Sequence, residues 1–338
     1  MKKSTIALGA ALALLVAGCG SKAEPGGSAS QSAAEGAHTI VSTIPAPSLA
    51  NNLLGDPAER DIIVYLPTSY YTSDERYPVV YFLAGYQEHV GMLNAPSDSM
   101  WAQMQMDGMK EFIIVEADGI NTLAGVGGNF YTNSPVTGNA EDFVTKDLVS
   151  YIDGTYRTVA KASARGLSGF SMGGSGTINV GLKHPDLYAA LYANPPGLLA
   201  ESGGLKDFLA SSGSWTAYSV AYFPDMSVSF PHARPIKAHD PLETQDPALV
   251  KLWDSGYGNL RQKVADYLAQ PERLKEIKVA YGTGDNYKWI PAGAEYFLGV
   301  LQENGISSSS HVFGGAHTVD NFFFDQDGVA FFSKNLTS

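Results

Sequence analysis

RGLSGFSMGG, at residues 165–174, is the stretch of sequence that decides the fold class. It contains a G-x-S-x-G pattern centred on Ser171, between an apolar run and a stretch with helical spacing. In that setting the pattern predicts a strand, a sharp turn that carries the serine, and a helix. A base and an oxyanion hole turn a serine hydroxyl into a useful nucleophile, and this is the predicted role of Ser171. The alternative is a glycine-rich loop with a structural serine, because the chain contains 36 glycines.

Apolar runs alternate with helical spacings on both sides of this segment. The predicted strands cover residues 39–44, 61–66, 77–83, 112–116, 166–170, 187–194, 277–281 and 309–313. The predicted helices cover residues 140–156, 176–184, 291–304 and 319–334. This alternation predicts an α/β fold with a doubly wound, mostly parallel sheet, in one domain over residues 39–338.

The stretch 195–271 interrupts the alternation with many Pro, Ser, Gly and aromatic residues. A long interruption of this kind is usually functional or helical in its own right, so we expect an insertion over the active site. Trp215, Tyr222, Phe223 and Trp253 are its predicted substrate-binding residues, because aromatic faces bind sugar rings and acyl chains. The alternative is that these aromatic side chains are part of the core.

A serine hydrolase of this kind carries its acid and its histidine after the serine, in that order. His317 lies in the glycine-rich segment 314–318, which follows the last predicted strand. Asp285 follows the strand predicted over 277–281, at the same edge of the sheet. The expected roles are general base for His317 and orienting carboxylate for Asp285. A turn aspartate and a surface histidine are the alternatives.

The oxyanion hole needs two backbone N–H groups. One is predicted at Met172, directly after the nucleophile. The other is predicted at Tyr86, in the loop after the strand over 77–83, where Gly85 permits a close backbone approach.

The N-terminus has the pattern of a bacterial lipoprotein signal. Lys2 and Lys3 precede an apolar run over 6–17, and VAGC at 16–19 matches a lipobox. We therefore expect a signal peptide over 1–18, a lipid on Cys19, a flexible tether over 19–38 and an extracytoplasmic protein anchored to the membrane. An ordinary secretory signal is the alternative.

Composition excludes some other classes of function. The chain of 338 residues has 22 Lys and Arg against 34 Asp and Glu, and this net charge of -12 argues against a nucleic-acid partner. No His/Cys cluster has metal-ligand spacing, and the GVGG at 125–128 lacks the lysine of a phosphate-binding loop. We therefore expect no metal and no cofactor.

Several segments of the chain, taken in order, resemble those of an esterase family of α/β-hydrolases. That family includes esterase D-like S-formylglutathione hydrolases, feruloyl and other carbohydrate esterases, and mycolyltransferases. The matching segments lie at 64–85, 142–158, 165–174, 182–189, 281–285 and 314–317. The resemblance implies an α/β-hydrolase fold, a triad on Ser171, Asp285 and His317, and oxyanion donors at Tyr86 and Met172. Ala84 departs from the histidine that many members have before the glycine, and the PPG at 195–197 departs from their usual Ser-Gly.

Three functions fit these observations. The leading one is a serine carboxylesterase that hydrolyses an acyl or carbohydrate ester through an acyl-enzyme on Ser171. The second is an acyltransferase that passes the acyl group to a sugar or another hydroxyl acceptor. The third is a non-catalytic surface lipoprotein that binds a ligand, which would be expected to lack a triad residue. The sequence leaves the substrate and the oligomeric state open.

Overall fold

An eight-stranded sheet forms the centre of the structure, a computed structural model that describes residues 38–93, 98–121, 125–211, 215–234, 236, 240–320 and 323–338. The predicted signal, Cys19 and nearly all of the tether lie outside these residues. Among the helices of the described ranges, none is long and apolar enough to cross a membrane.

The strands in chain order are β1 (Thr39–Pro45), β2 (Glu59–Tyr65), β3 (Val79–Leu83), β4 (Ile113–Ala117), β5 (Asn133–Ser134), β6 (Gly138–Asn139), β7 (Arg165–Phe170), β8 (Ala190–Asn194), β9 (Glu276–Gly282) and β10 (Ser308–Phe313). The helices are α1 (Asp98–Met104), α2 (Ala140–Asp142), α3 (Leu148–Thr155), α4 (Met172–Lys183), α5 (Ser202–Ser211), α6 (Trp215–Tyr222), α7 (Pro247–Asp254), α8 (Leu260–Leu268), α9 (Trp289–Glu303) and α10 (Gly328–Asn335). A π-helical turn at Phe143–Asp147 joins α2 to α3, and another at Phe323–Asp327 leads into α10.

The sheet has the order β1-β2-β4-β3-β7-β8-β9-β10, and β5 and β6 form a separate hairpin. Strand β2 runs antiparallel to β1 and β4, whereas every other neighbouring pair in the large sheet is parallel. The predicted doubly wound, mostly parallel sheet is therefore confirmed. Its parallel strands end at one edge, so the loops after β3, β7, β9 and β10 meet there.

The central strands are apolar because helices cover both faces of the sheet. All five residues of β3 are buried, and so are those of β4 and β8. Alternate residues of β3 enter two separate clusters, with Val79, Tyr81 and Leu83 on one face and Val80 and Phe82 on the other. Continuous apolar runs of this kind are typical of strands buried on both faces.

Two of the four predicted helices depart from the observed bounds by more than two residues. Helix α4 begins at Met172, four residues before the prediction, because the chain turns directly from β7 into the helix. The helix predicted over 319–334 becomes a π-helical turn from Phe323 followed by α10. Asp320 therefore lies before the observed helical segment, and its carboxylate oxygen Oδ2 lies 2.7 Å from His311 Nε2.

The interruption over 195–271 is largely helical where it is described, and it contains α5, α6, α7 and α8. Helix α8 packs on α4 and α9, and α5 packs on α9 and α7. The interruption is thus joined to the main domain through the helices that cover one face of the sheet.

The first turn of α4 lies so close to the end of β3 that only glycine fits at Gly173. A Cβ there would collide with the carbonyl oxygen of Leu83 and lie 2.6 Å from that of Ala84. We predict that Gly173→Ala destabilises the protein by about 1–3 kcal/mol, because backbone must move to relieve the overlap. Urea unfolding of the purified variant measures this change.

Gly299 is the matched control, since it lies within α9 and a Cβ there would meet nothing within 4 Å. Gly299→Ala is expected to stabilise the protein by about 0.5–1 kcal/mol, because alanine loses less backbone entropy in a helix. Equal stability of the two variants would contradict the packing described here.

Candidate active site

Ser171 lies on a strained turn between β7 and α4. Its φ of 54° and ψ of -111° fall outside the regions that a non-glycine residue normally occupies. Strain of this kind costs about 1–3 kcal/mol and persists only where the surrounding structure enforces it. Here the Ser171 N–H donates to the carbonyl of Asn194 at the end of β8 (3.2 Å), and its carbonyl accepts from the Gly197 N–H (3.2 Å).

A chain of hydrogen bonds links the serine to a buried carboxylate. The Ser171 Oγ lies 2.9 Å from His317 Nε2, and His317 Nδ1 lies 2.7 Å from Asp285 Oδ2. A carboxylate only accepts, so His317 donates from Nδ1 and its Nε2 is left to accept from the serine hydroxyl. Asp285 is fully buried, and its other oxygen accepts from the Tyr287 N–H at 2.8 Å. The structure thus brings together the three predicted catalytic residues.

The loops that carry Asp285 and His317 are joined to each other by backbone hydrogen bonds. The Thr283 N–H donates to the carbonyl of Phe313 (2.8 Å), and the Gly284 N–H donates to that of Gly315 (3.0 Å). These bonds fix the distance between Asp285 and His317, although the two residues are 32 positions apart in the sequence.

Two aromatic rings that the sequence analysis did not assign hold the imidazole in place. The ring of Phe170 lies 4.8 Å from that of His317, and the ring of Tyr287 meets it edge-on at 5.2 Å. Phe170 is the second residue of the G-x-S-x-G pattern, and Tyr287 comes two residues after Asp285. Their closeness in sequence to Ser171 and Asp285 is the one feature that could have predicted this role.

The two predicted oxyanion donors border the serine. Met172 is the first residue of α4, so the helix supplies no carbonyl one turn earlier to accept from its N–H. Tyr86 lines the cavity at Ser171, and its hydroxyl donates to the carbonyl of Val126 at 2.9 Å. Just before it, the carbonyl of Ala84 accepts from the Tyr131 hydroxyl at 2.9 Å. The loop after β3 is thus fixed on both sides of Gly85.

A cavity of about 430 Å³ opens at the serine and the histidine. Gln87, Glu88 and Tyr287 contribute polar groups to its lining. Aromatic and aliphatic side chains form most of the rest, from Tyr86, Phe130, Phe170, Phe208, Tyr257, Trp289 and Ile290. Within the described part of the chain, no group of three or more His, Cys, Asp or Glu side chains could hold a metal ion.

The four aromatic residues predicted to bind substrate do not line this cavity. Trp253 is fully buried and stacks on Tyr218, and Phe223 is 9% exposed and packs against Trp253. Trp215 and Tyr222 are partly buried against the same core. The prediction is therefore corrected: these side chains belong to the aromatic core of the insertion. Tyr222, Phe223 and Trp253 all pack on Tyr218, and the number of aromatic residues in a sequence does not tell which of them face a cavity.

Other residues of the insertion reach the cavity. Phe208 and Tyr257 line it, and both pack on Tyr218, at 5.2 and 5.0 Å between ring centroids. Phe130, from the main domain, packs on the same ring at 5.4 Å. Residues 195–271 thus contribute Phe208 and Tyr257 to the cavity wall, in place of the aromatic residues that were predicted. An insertion that covers the active site stays a prediction.

The substitution Trp253→Ala tests whether Trp253 belongs to the core of the insertion or to the wall of the cavity. Removing this buried ring is expected to cost about 3–5 kcal/mol of stability, because a large cavity replaces it. The residual activity should fall in the same proportion on short and on bulky esters. Met226 is the matched control, since it is 53% exposed in the same insertion, and Met226→Ala should change stability by less than about 0.5 kcal/mol. Loss of activity on bulky esters alone, with an unchanged melting temperature, would contradict the core assignment of Trp253.

Comparison with solved structures confirms the α/β-hydrolase fold. A ferulic acid esterase superposes with a TM-score of 0.60 at 19% identity, covering 88% of this chain and 98% of that one. The S-formylglutathione hydrolase from Agrobacterium tumefaciens also gives a TM-score of 0.60, at 16% identity, covering 91% of this chain and 99% of that one. At these identities the likeness concerns the fold alone.

Sequence comparison defines the family. Esterase Rv1288 of Mycobacterium tuberculosis is 26% identical to this chain in an alignment that covers 79% of this chain. The match covers 54% of that protein, so the chain spans about half the length of the curated relative. The model of the Esterase family, described as "Putative esterase", matches residues 57–322. This match extends over most of the chain and includes strands β2 to β10, the serine turn and the histidine loop, and the chain therefore belongs to the Esterase family.

Proposed function

We propose that the protein is a serine carboxylic ester hydrolase that works through an acyl-enzyme on Ser171. The observation that carries the proposal is the hydrogen-bonded chain from the Ser171 hydroxyl through His317 to the buried Asp285. The family match and the named esterase relative support the same class of reaction.

In the proposed reaction each residue of the site has one role. The Ser171 oxygen attacks the ester carbonyl carbon while His317 Nε2 takes the hydroxyl proton. The amides of Met172 and Tyr86 bind the negative oxygen of the tetrahedral intermediate. The bond to the alcohol oxygen then breaks, and His317 returns the proton to that oxygen. Asp285 stabilises the imidazolium that exists between these two transfers.

The acyl group stays on Ser171 until a second nucleophile removes it. With water, His317 accepts a proton as the water oxygen attacks, and the acid is released as the serine is restored. If another hydroxyl attacks in the place of water, the product is a new ester and the protein acts as an acyltransferase.

The cavity supports a substrate with an apolar or aromatic part. A volume of about 430 Å³ and walls of Phe130, Phe208, Tyr257 and Trp289 suit a small organic group. The solved structure of a ferulic acid esterase shows that this fold also occurs in an enzyme named for an aromatic acid. We therefore propose acyl or carbohydrate esters as the substrate class.

Single and double substitutions test the triad. Ser171→Ala and His317→Ala should each lower kcat by a factor on the order of 10⁴ or more, and the double variant should be no slower than either one, because the residues act as a unit. Intact-protein mass spectrometry of the wild type during turnover should show the mass of one acyl group. Adding an alcohol acceptor reports the fraction of acyl groups that are transferred to it.

His311 provides a matched control, since it forms a second histidine–carboxylate pair with Asp320 away from the cavity lining. His311→Ala should keep kcat within about tenfold of the wild type, because substituting a residue outside the triad lowers the rate far less. Full activity of Ser171→Ala, or an acyl group on a different residue, would exclude the proposed mechanism.

We also propose that Cys19 carries a lipid that anchors the domain to the outside of a bacterial membrane. The lipobox pattern at 16–19 and the basic, apolar leader support this. Cys19→Ser should move the protein from the membrane fraction to the soluble fraction, while activity per molecule stays the same because the lipid lies outside the catalytic domain. Fractionation after labelling with a palmitate analogue measures both effects. A wild-type protein without label would exclude the anchor.

A further inference from the structure

The carboxylate of Glu88 lies in the cavity and takes no part in the triad. Its Oε2 accepts from the Gly85 N–H at 3.1 Å. Among the described residues, no donor bonds to its Oε1 and no cationic side chain pairs with it. Burial raises the pKa of Glu88, and its hydrogen bond from the Gly85 N–H partly offsets this. The cavity is therefore bordered by a partly buried carboxylate whose Oε1 is open to a bound ligand.

The position of Glu88 associates it with the leaving alcohol. A Cβ placed on Gly85 would lie 3.1 Å from Glu88 Cδ and 3.2 Å from Phe170 Cδ1, so both side chains flank the same point. The Phe170 ring in turn packs on the imidazole of His317. The alcohol departs next to His317, because that residue returns the proton to the alcohol oxygen.

We propose that Glu88 recognises the alcohol portion of the ester, favouring alcohols that present further hydroxyl or ammonium donors and rejecting anionic ones. This inference rests on the proposed ester hydrolysis at Ser171. Both kinds of donor can bond to the free Oε1, and a hydrogen bond to a charged acceptor is stronger than a neutral one. An anionic alcohol would bring a second negative charge into the partly desolvated cavity, where repulsion between like charges is stronger than in water.

Glu88→Gln tests the charge without removing the loop contact. The glutamine side-chain oxygen can still accept from the Gly85 N–H, so the loop after β3 keeps its hydrogen bond. The matched control is Glu75→Gln. Glu75 is exposed in the loop before β3, at the opposite end of that strand from Gly85, and this variant changes the net charge by the same amount.

Four acetate esters that differ only in the alcohol serve as probes. Their alcohol parts are propyl, 2,3-dihydroxypropyl, 2-(dimethylamino)ethyl as the ammonium form, and 2-carboxyethyl as the anion. In the wild type we expect kcat/KM to be about tenfold or more higher for the hydroxyl and ammonium esters than for the anionic ester, as one charge-assisted hydrogen bond would give. Glu88→Gln should remove most of this difference, and Glu75→Gln should preserve it.

The acyl group provides the internal control. All four esters form the same acetyl-enzyme, so Glu88→Gln should change the rate of acylation and leave deacylation unchanged, as stopped-flow measurements resolve. A loss confined to the ammonium ester would assign the role to charge, and a loss on the dihydroxypropyl ester would assign it to hydrogen bonding. Either result supports the proposal.

The failures of the two proposals are distinct. If the wild type hydrolyses the esters but Glu88→Gln leaves the ratios among the four alcohols unchanged, the role of Glu88 is excluded and the esterase mechanism stands. If the wild type acylates on Ser171 with none of a broad range of esters, both proposals are excluded. An equal loss of kcat/KM on all four esters would show a positioning role in the oxyanion loop and would also overturn the recognition of the alcohol.

Discussion

The close contact between the first turn of α4 and the end of β3 is the constraint on which the site depends. A side chain at Gly169 would collide with the backbone of Gly173, and one at Gly173 would collide with the carbonyl of Leu83. Because both positions lack a Cβ, the serine turn can lie against the loop that carries Gly85 and Tyr86. One contact between backbones thus places the proposed nucleophile and both proposed oxyanion donors, and the strain at Ser171 is borne by β7, β8 and α4 together.

The aromatic core of the insertion has a comparable role for the cavity wall. Tyr218 is fully buried, and its hydroxyl accepts from the Tyr257 N–H at 2.6 Å. Rings that face the cavity, including Phe208 and Tyr257, rest on this one side chain. The wall is therefore rigid through contacts that the substrate does not meet, and substitutions in the core of the insertion act on stability before they act on specificity.

The sequence predicts the sheet and the three residues of the hydrogen-bonded chain well, because each depends on local patterns. A fully apolar run becomes a buried strand, and a polar residue in the short loop after a parallel strand reaches the shared edge, as Asp285 and His317 do. The cavity wall is different, because it depends on how the helices and loops of the insertion pack against one another. Trp253, in α7, is fully buried, whereas Tyr257, in the loop after α7, borders the cavity. No sequence motif marks Glu88 as a residue of the cavity. Its position there depends on how the loop after β3 folds against Phe170.

The connection between β8 and β9 has a consequence for how proteins of this architecture diversify. These neighbouring parallel strands need one crossover helix, and α8, packed on α4 and α9, meets that need. Helices α5, α6 and α7 are additional to that crossover and contribute Phe208 to the wall. Natural exchange of that additional segment, or a graft made in the laboratory, would leave the strand order and the hydrogen bonds from Ser171 to Asp285 in place. The crossover thus allows the part of the cavity wall that α5 supplies through Phe208 to change, while the sheet and the loops that carry Ser171, Asp285 and His317 stay the same.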